Sequence, residues 1–196
     1  IGRIAIAPVI GNIEDMPKAS EKMLLNKMNQ IISKNGISSA SNRFIMFPNI
    51  TILSQDITPT APPMHVYNLE VTLNVGDNKT KNIYHSVSIE TKGVGKNPNK
   101  AYTQALKTIN PKNTNIKEFV EKSKKKIIEY YNSQCDFILK EANSNAKRKK
   151  YDNAIFQLTS IPKICKSCFD KGQELAIDIY KMKMENQCMQ LISKAK

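Results

Sequence analysis

Cys165-Lys166-Ser167-Cys168 is the one closely spaced pair among four cysteines, the others being Cys135 and Cys188. Such a pair suits two kinds of chemistry: a redox couple, or half of a tetrathiolate zinc site completed by Cys135 and Cys188. Three residues is also about one helical turn, the spacing that turns one thiol inward while its neighbour skirts the core. The surrounding spacing is unlike a zinc ribbon and neither histidine is near in sequence. Packing by reduced thiols is therefore the expectation for Cys165 and Cys168, since a secreted disulfide scaffold of this size is usually denser in cysteine.

Other reactive types are sparse. Only His65 and His85 are of a type that could serve as a neutral-pH base, and each sits in a β-like stretch where an ordinary polar strand residue is expected. Glu14-Asp15 and Asp56 follow apolar runs and are explained as a helix cap and a loop residue as well as by metal binding. The run Gly93 to Lys100, GVGKNPNK, lacks the spacing between glycine and GK, and the Ser or Thr after it, that a phosphate loop needs. It reads as a turn leading into a capped helix. No HExxH, GxSxG or paired-carboxylate helix is present, so no catalytic, cofactor-binding or metal-ligating set is expected, and the chain reads as a non-enzyme.

Thirty basic residues against 17 acidic give a net charge of +13. Twenty-seven of the 30 are Lys and only Arg3, Arg43 and Arg148 are Arg, whereas base-edge and phosphate recognition favour the Arg fork. A solvated lysine surface accounts for most of this excess. Two clusters remain as candidate contacts for nucleic acid or an acidic partner: Lys122, Lys124, Lys125 and Lys126, and Lys147, Arg148, Lys149 and Lys150. The charge divides evenly, +6 over residues 1–112 and +7 over 113–196, so no separate basic arm exists.

The elements that must position these residues fall into two parts. Gly2 to Ile10 is β-rich and nearly continuously apolar, as a strand covered on both faces would be. Asp15 and Pro17 then open a helix that carries Leu24, Met28, Ile31 and Ile32 to Asn35-Gly36. Arg43 to Leu53 is a second strand whose Pro48 demands an edge, a bulge or two short strands, and Thr58 to Pro63 is a stiff loop. His65 to Val75 and Asn82 to Thr91 flank Gly76-Asp77-Asn78-Lys79 as a hairpin. Asn97 and Pro98 open a second helix through Ala101 to Ile109. Residues 1–112 are thus expected to form a small α/β domain, a mixed sheet of about four strands with two helices.

From Asn115 the period becomes helical. Phe119, Ser123, Ile127, Tyr130, Tyr131, Gln134, Phe137, Ile138 and Ala142 trace one face of a long helix. Tyr151, Ala154, Ile155 and Leu158 form a second, packing segment, and Cys165, Phe169, Leu175, Ile179, Tyr180 and Leu191 a third. The overall class is α+β, an α/β sandwich-like domain followed by an all-helical, repeat-like region over 113–196.

Residues Ala142 to Tyr180 resemble a tetratricopeptide-like helical hairpin, through Ala142, Tyr151-Asp152-Asn153-Ala154-Ile155, Leu158, Ile161-Pro162, Cys168, Ala176 and Tyr180. The first 112 residues resemble the small α/β domain of TolB-type and curli-secretion-type envelope proteins, through the IAIAPVI strand, the helix ending at Gly36-Ile37, the long two-stranded excursion and the GVG loop before AYTQAL. Both resemblances imply assembly or partner contact without catalysis.

These readings converge on a structural or assembly protein acting through protein partners or self-association, such as a phage virion component or a subunit of an envelope-associated, periplasmic complex. The alternative is nucleic-acid binding through the lysine clusters. No run of 18 apolar residues spans a bilayer. The chain begins at Ile1 and not Met, as a processed product or part of a longer chain would.

Overall fold

A computed structural model describes residues 4–35 and 43–194. Gly2, Arg3, Gly36 and Ile37 lie outside the described residues. Four strands, β1 (Ala7–Pro8), β2 (Phe44–Ile57), β3 (His65–Asp77) and β4 (Ile83–Gly95), stand in the order β1-β2-β3-β4. β1 is parallel to β2 and the other pairs are antiparallel, which makes the sheet mixed. Helices α1 (Lys18–Lys34) and α2 (Pro98–Lys107) accompany it. The helical region comprises α3 (Thr114–Ser133), α4 (Cys135–Lys147), α5 (Tyr151–Thr159) and α6 (Lys166–Lys194). The two-part α+β architecture matches the expectation from the sequence.

The chain divides into two compact units with the boundary inside α3, between Lys126 and Ile127, and not at 112. The reason lies in the first half of α3, where Ile116, Phe119, Val120 and Ser123 are buried. Phe119 lies against His85 of β4 at 5.8 Å between rings. Lys124 donates to the carbonyl of Asn35 at the end of α1. A helix that begins as part of one core and ends in another hides the boundary from any composition shift.

In the α/β unit burial alternates along β3 from Tyr67 to Leu73, with Val66 and Asn74 also buried off that pattern. Tyr67, Leu69, Val71, Leu73 and Val75 of β3 are buried on the side where α2 packs. Asn68, Glu70, Thr72 and Asn74 point the other way. The second face is a polar ladder, with Thr72 and Ser88 hydroxyls 2.8 Å apart, Ser86 donating to Asn74 and Asn68 to Ser54. Burial mainly on one face is why these strands read as alternating segments. β1 differs from its expectation, since Ile4 and Ile6 are buried while Val9 is exposed. It is covered on one face, and it pairs with β2 over two residues only. Because β1 ends opposite Met46, β2 is an edge from Pro48 onward and the missing proline donor costs no ladder bond.

Gly93-Val94-Gly95, expected as a loop, is the end of β4. A Cβ at Gly93 would lie 2.1 Å from the carbonyl oxygen of Ala101 and 2.2 Å from the amide of Ala105, and one at Gly95 would lie 2.4 Å from the amide of Ala101. The glycines let the α2 backbone rest on the strand. Asn97 caps α2 as its sequence predicts, its Oδ1 accepting from Lys100 N at 2.9 Å. Lys27 of α1 donates to the carbonyls of Lys107 and Ile109, closing the other end. Asp15 is not a cap: it takes a left-handed conformation (φ 58°) and α1 starts after Pro17 without a side-chain cap.

At the hairpin, the fully buried Asp77 carboxylate accepts from Arg43 Nε at 2.8 Å and from the amides of Lys79 and Thr80. One side chain thus ties the start of β2 to the β3–β4 turn.

In the helical unit, the long helix expected from 115 to 142 is broken at Gln134 (φ −100°, ψ 8°). No Pro or Gly marks the bend and the hydrogen-bond ladder continues on both sides, through Gln134 N to Tyr130 O and Ile138 N to Gln134 O. Phe137, assigned to the inner face by periodicity, is exposed after the bend. Ala142, Ala146, Ala154, Gly172 and Ala176 are buried where α4, α5 and α6 pack. Such small residues permit close approach of helix backbones.

Cys168 is not a free packing thiol. It is disulfide-bonded to Cys135, with Cα atoms 5.6 Å apart and 33 residues of separation, so the start of α4 is fastened to α6. Spacing did not reveal this because the partner lies on a different helix. Cys165 does pack as a buried thiol, its pKa pushed up by burial.

Two tests follow from this packing. Gly93→Ala should destabilise the α/β unit by about 3 kcal/mol through overpacking against the α2 backbone, lowering its thermal midpoint by roughly 6 to 12 °C. Gly11→Ala, where an added Cβ meets nothing within 4 Å, should leave it unchanged. Alkylation of the denatured, unreduced protein should label Cys165 and Cys188 only. Replacing Cys135 and Cys168 by serine should cost the helical unit about 3 to 4 kcal/mol, the loop-closure value for this separation, read from its helical circular-dichroism melt.

Candidate interaction surface

Cys135 and Cys168 apart, the reactive residues singled out in the sequence do not converge among the described residues. His65 starts β3 opposite Gly95, whereas His85 pairs with Val75 near the other end of the same strands. The His85 pKa is lowered by partial burial and by the nearby charges of Lys126 and Lys122. Asp56 lies near the end of β2, accepting from Ser54, while Glu14 and Asp15 lie in the loop between β1 and α1. Among the described residues no three His, Cys, Asp or Glu side chains gather where a metal could sit. A cleft of about 400 Å³ beside that loop is lined by Ile10, Gly11, Asn12, Ile13, Met16, Lys18 and Glu21. Its only charged groups are one lysine and one glutamate. Tyr102 is buried edge-on against Tyr67, 5.7 Å between rings. Its pKa is pushed up to about 12 by burial, by Tyr67 and by Asp15, so the phenol stays protonated.

The lysine clusters are separated by the division of the chain. In the α/β unit, Lys122 pairs with Glu118 at 3.2 Å and Lys124 with Glu121 at 2.8 Å, while Lys125 and Lys126 are exposed. In the helical unit, Lys147, Arg148, Lys149 and Lys150 are all exposed around the turn between α4 and α5. That turn closes through Lys149, whose φ is 62°, with its amide on Ala146 O and the Lys150 amide on Asn145 O.

The helix-packing residues named from the sequence differ in burial. Ala154 and Leu158 are buried, and Tyr151 and Ile155 are half-buried. Gly172 on α6 meets Ile161, whose Cδ1 would lie 2.6 Å from an added Cβ. Tyr180 and Leu191, expected with the inner face, are on the outside.

α6 therefore has two faces. Cys168, Gly172, Ala176 and Ile179 are buried, at the three- and four-residue steps of one stripe. On the opposite side Ile177, Tyr180, Met184 and Leu191 are exposed, at 57, 54, 45 and 69 %, and the free thiol of Cys188 lies in line with them. The unit reaches along the helix as far as Lys183, which donates to Asp152 of α5 at 2.6 Å. No residue from Met184 to Lys194 is buried. Apolar residues on both sides give the helix almost no net amphipathic signal, so the outer stripe escaped the periodicity reading. The two-sided pattern at positions 177, 180, 184, 188 and 191 was nonetheless there to be read.

Among the described residues, no helix is long and apolar enough to cross a membrane. No known protein family matches the chain. No curated protein sequence matches it. Solved structures similar to it include a protein described as a lipoprotein from Caulobacter crescentus CB15, at 11 % identity, covering 61 % of this chain and 82 % of that one with a TM-score of 0.33. A minor lipoprotein from Acinetobacter baumannii is similar at 12 % identity, covering 46 % and 67 %, with a TM-score of 0.32. A protein described as a neuraminyllactose-binding hemagglutinin homolog from Helicobacter pylori is similar at 17 % identity, covering 62 % and 86 %, with a TM-score of 0.34.

Proposed function

We propose that this chain is a non-enzymatic assembly protein that acts through protein–protein contacts of its helical unit, within a virion or an envelope-associated complex. The observation that carries the reading is the outer stripe of α6, Ile177, Tyr180, Met184 and Leu191, exposed on a helix whose opposite face is already packed. A contiguous apolar surface of this kind marks an interaction site. The Cys135–Cys168 bond supports an oxidising location, since such bonds persist in periplasmic, extracellular and virion settings and are rare in a reducing cytosol. The resemblance of the two halves to envelope-protein and tetratricopeptide-like modules agrees with this role. In native extracts the chain should co-sediment with a larger particle, and Ile177→Lys with Leu191→Lys should reduce that association at least tenfold while helical content is kept. A chain sedimenting at its own mass in native extract, with turnover of a substrate, would sink the proposal.

Nucleic-acid binding is the second reading, favoured by the four consecutive exposed cations at Lys147–Lys150. Its mark would be micromolar binding of single- or double-stranded DNA at low salt that falls steeply as salt rises and shows little sequence preference. Under the assembly reading, replacing Lys147, Arg148, Lys149 and Lys150 by glutamine changes co-sedimentation little. A matching loss of DNA affinity and of particle association in that variant would put the nucleic-acid reading first.

A further inference from the structure

We infer that the outer face of α6 pairs with the same face of a second copy, antiparallel, about a two-fold axis passing through Met184. The inference rests on the assembly reading above and names the occupant of that surface.

The stripe is self-complementary about its centre. Ile177 and Leu191 lie seven residues before and after Met184, and Tyr180 and Cys188 four before and after it. Two antiparallel copies thus set Ile177 against Leu191, Tyr180 against Cys188 and Met184 against itself, over about 21 Å of helix. This is the isologous pattern that two-fold symmetry requires, each patch meeting its own copy. A helix pair of this length with side chains of this size buries on the order of 1,200 Å² in total, at the lower end of specific interfaces. Met182 and Met189 lie off the stripe and are not used.

Charge favours a second copy and fixes its direction. The chain carries +13, yet α6 holds five lysines and four acidic residues, which makes it a nearly neutral place for two cationic chains to meet. Lys181 and Glu185 border the stripe on the same flank. In the antiparallel arrangement like flanks meet, bringing Lys181 of each copy to Glu185 of the other, offset by about 3 Å along the axis. Among the described residues Lys181 is otherwise held by an exposed pair with Asp178 at 3.6 Å, which restrains it little. In a parallel pair opposite flanks meet, and Lys181 confronts Lys183 of the other copy. Antiparallel packing also sets the two helix dipoles head to tail.

The stability of the helix end points the same way. From Met184 to Lys194 α6 has no buried residue, so its last turns draw no stability from packing within the unit, where most helical stability in proteins comes from. A second helix alongside supplies the missing cover for Met184 and Leu191.

Sedimentation velocity and cysteine trapping on the full chain test this. The purified protein should dimerise at tens of micromolar, and Met184→Lys should weaken that association at least tenfold with helical content unchanged. In a Cys188→Ser background, Met184→Cys should give a covalent dimer with glutathione disulfide, the two thiols yielding two protons and two electrons to form one new disulfide and two glutathiones. Native Cys188 should not cross-link, because its mate lies about 12 Å away along the axis. A protein monomeric at 100 micromolar, or one that cross-links through Cys188 and not through position 184, overturns the inference. The proposed function has its own readout: a chain monomeric when pure yet held in a native particle through this face overturns self-pairing alone, whereas a monomer in both settings removes both.

Discussion

The alternation along β3 is the constraint on which the α/β unit depends. Tyr67, Leu69, Val71, Leu73 and Val75 are buried, and the residues between them form hydrogen bonds across a polar face. A side-chain period of two fixes the register with both neighbouring strands, because a slip of one residue would exchange the two faces. It also puts the covering helix on one side. α2 comes so close that β4 must end in glycines at 93 and 95, and α1 reaches across to hold the last turn of α2 through Lys27. Asp77 adds a polar anchor at the hairpin end. Its buried carboxylate is satisfied by Arg43 and two turn amides, which is what allows a charge to be buried there.

The helical unit is held on another principle. Small residues at Ala142, Ala146, Ala154 and Ala176 pack beside the larger buried Ile127, Tyr131, Leu158 and Ile179, and a covalent bond between Cys135 and Cys168 adds to that core. Other large apolar side chains are left outside, on the face of α6 away from its buried stripe. A helix with two apolar faces is poorly suited to solitary life in water and well suited to bridging a core and a partner. That outer stripe of α6, and not a convergent polar site, is what the proposed function rests on.

Electrostatics agrees with that division. The excess of lysine is spread over both units, and part of it is spent internally: Lys27 and Lys124 cap carbonyls, and Lys122 and Lys183 meet carboxylates. Only the turn at Lys147–Lys150 presents four adjacent exposed cations. The net charge is thus distributed over both units, with its longest exposed run at that turn.

Features governed by local period and turn chemistry are legible in the residues alone. The alternating strands, the hairpin around Gly76-Asp77, the Asn97 cap and the helical character after Asn115 follow from side-chain spacing and from which residues satisfy a free backbone amide. Features that join partners distant along the chain depend on packing and leave no local signal. The Cys135–Cys168 bond joins two helices whose internal spacing explains each cysteine as a packing residue, so the thiol pairing was invisible locally. Gly93 and Gly95 looked like a loop because the helix that requires their missing Cβ atoms comes after them and folds back. The unit boundary at Lys126 falls mid-helix, where hydrogen bonding is continuous but the burying neighbours change. Period tells which residues share a face, and only packing tells which of two apolar faces is already covered.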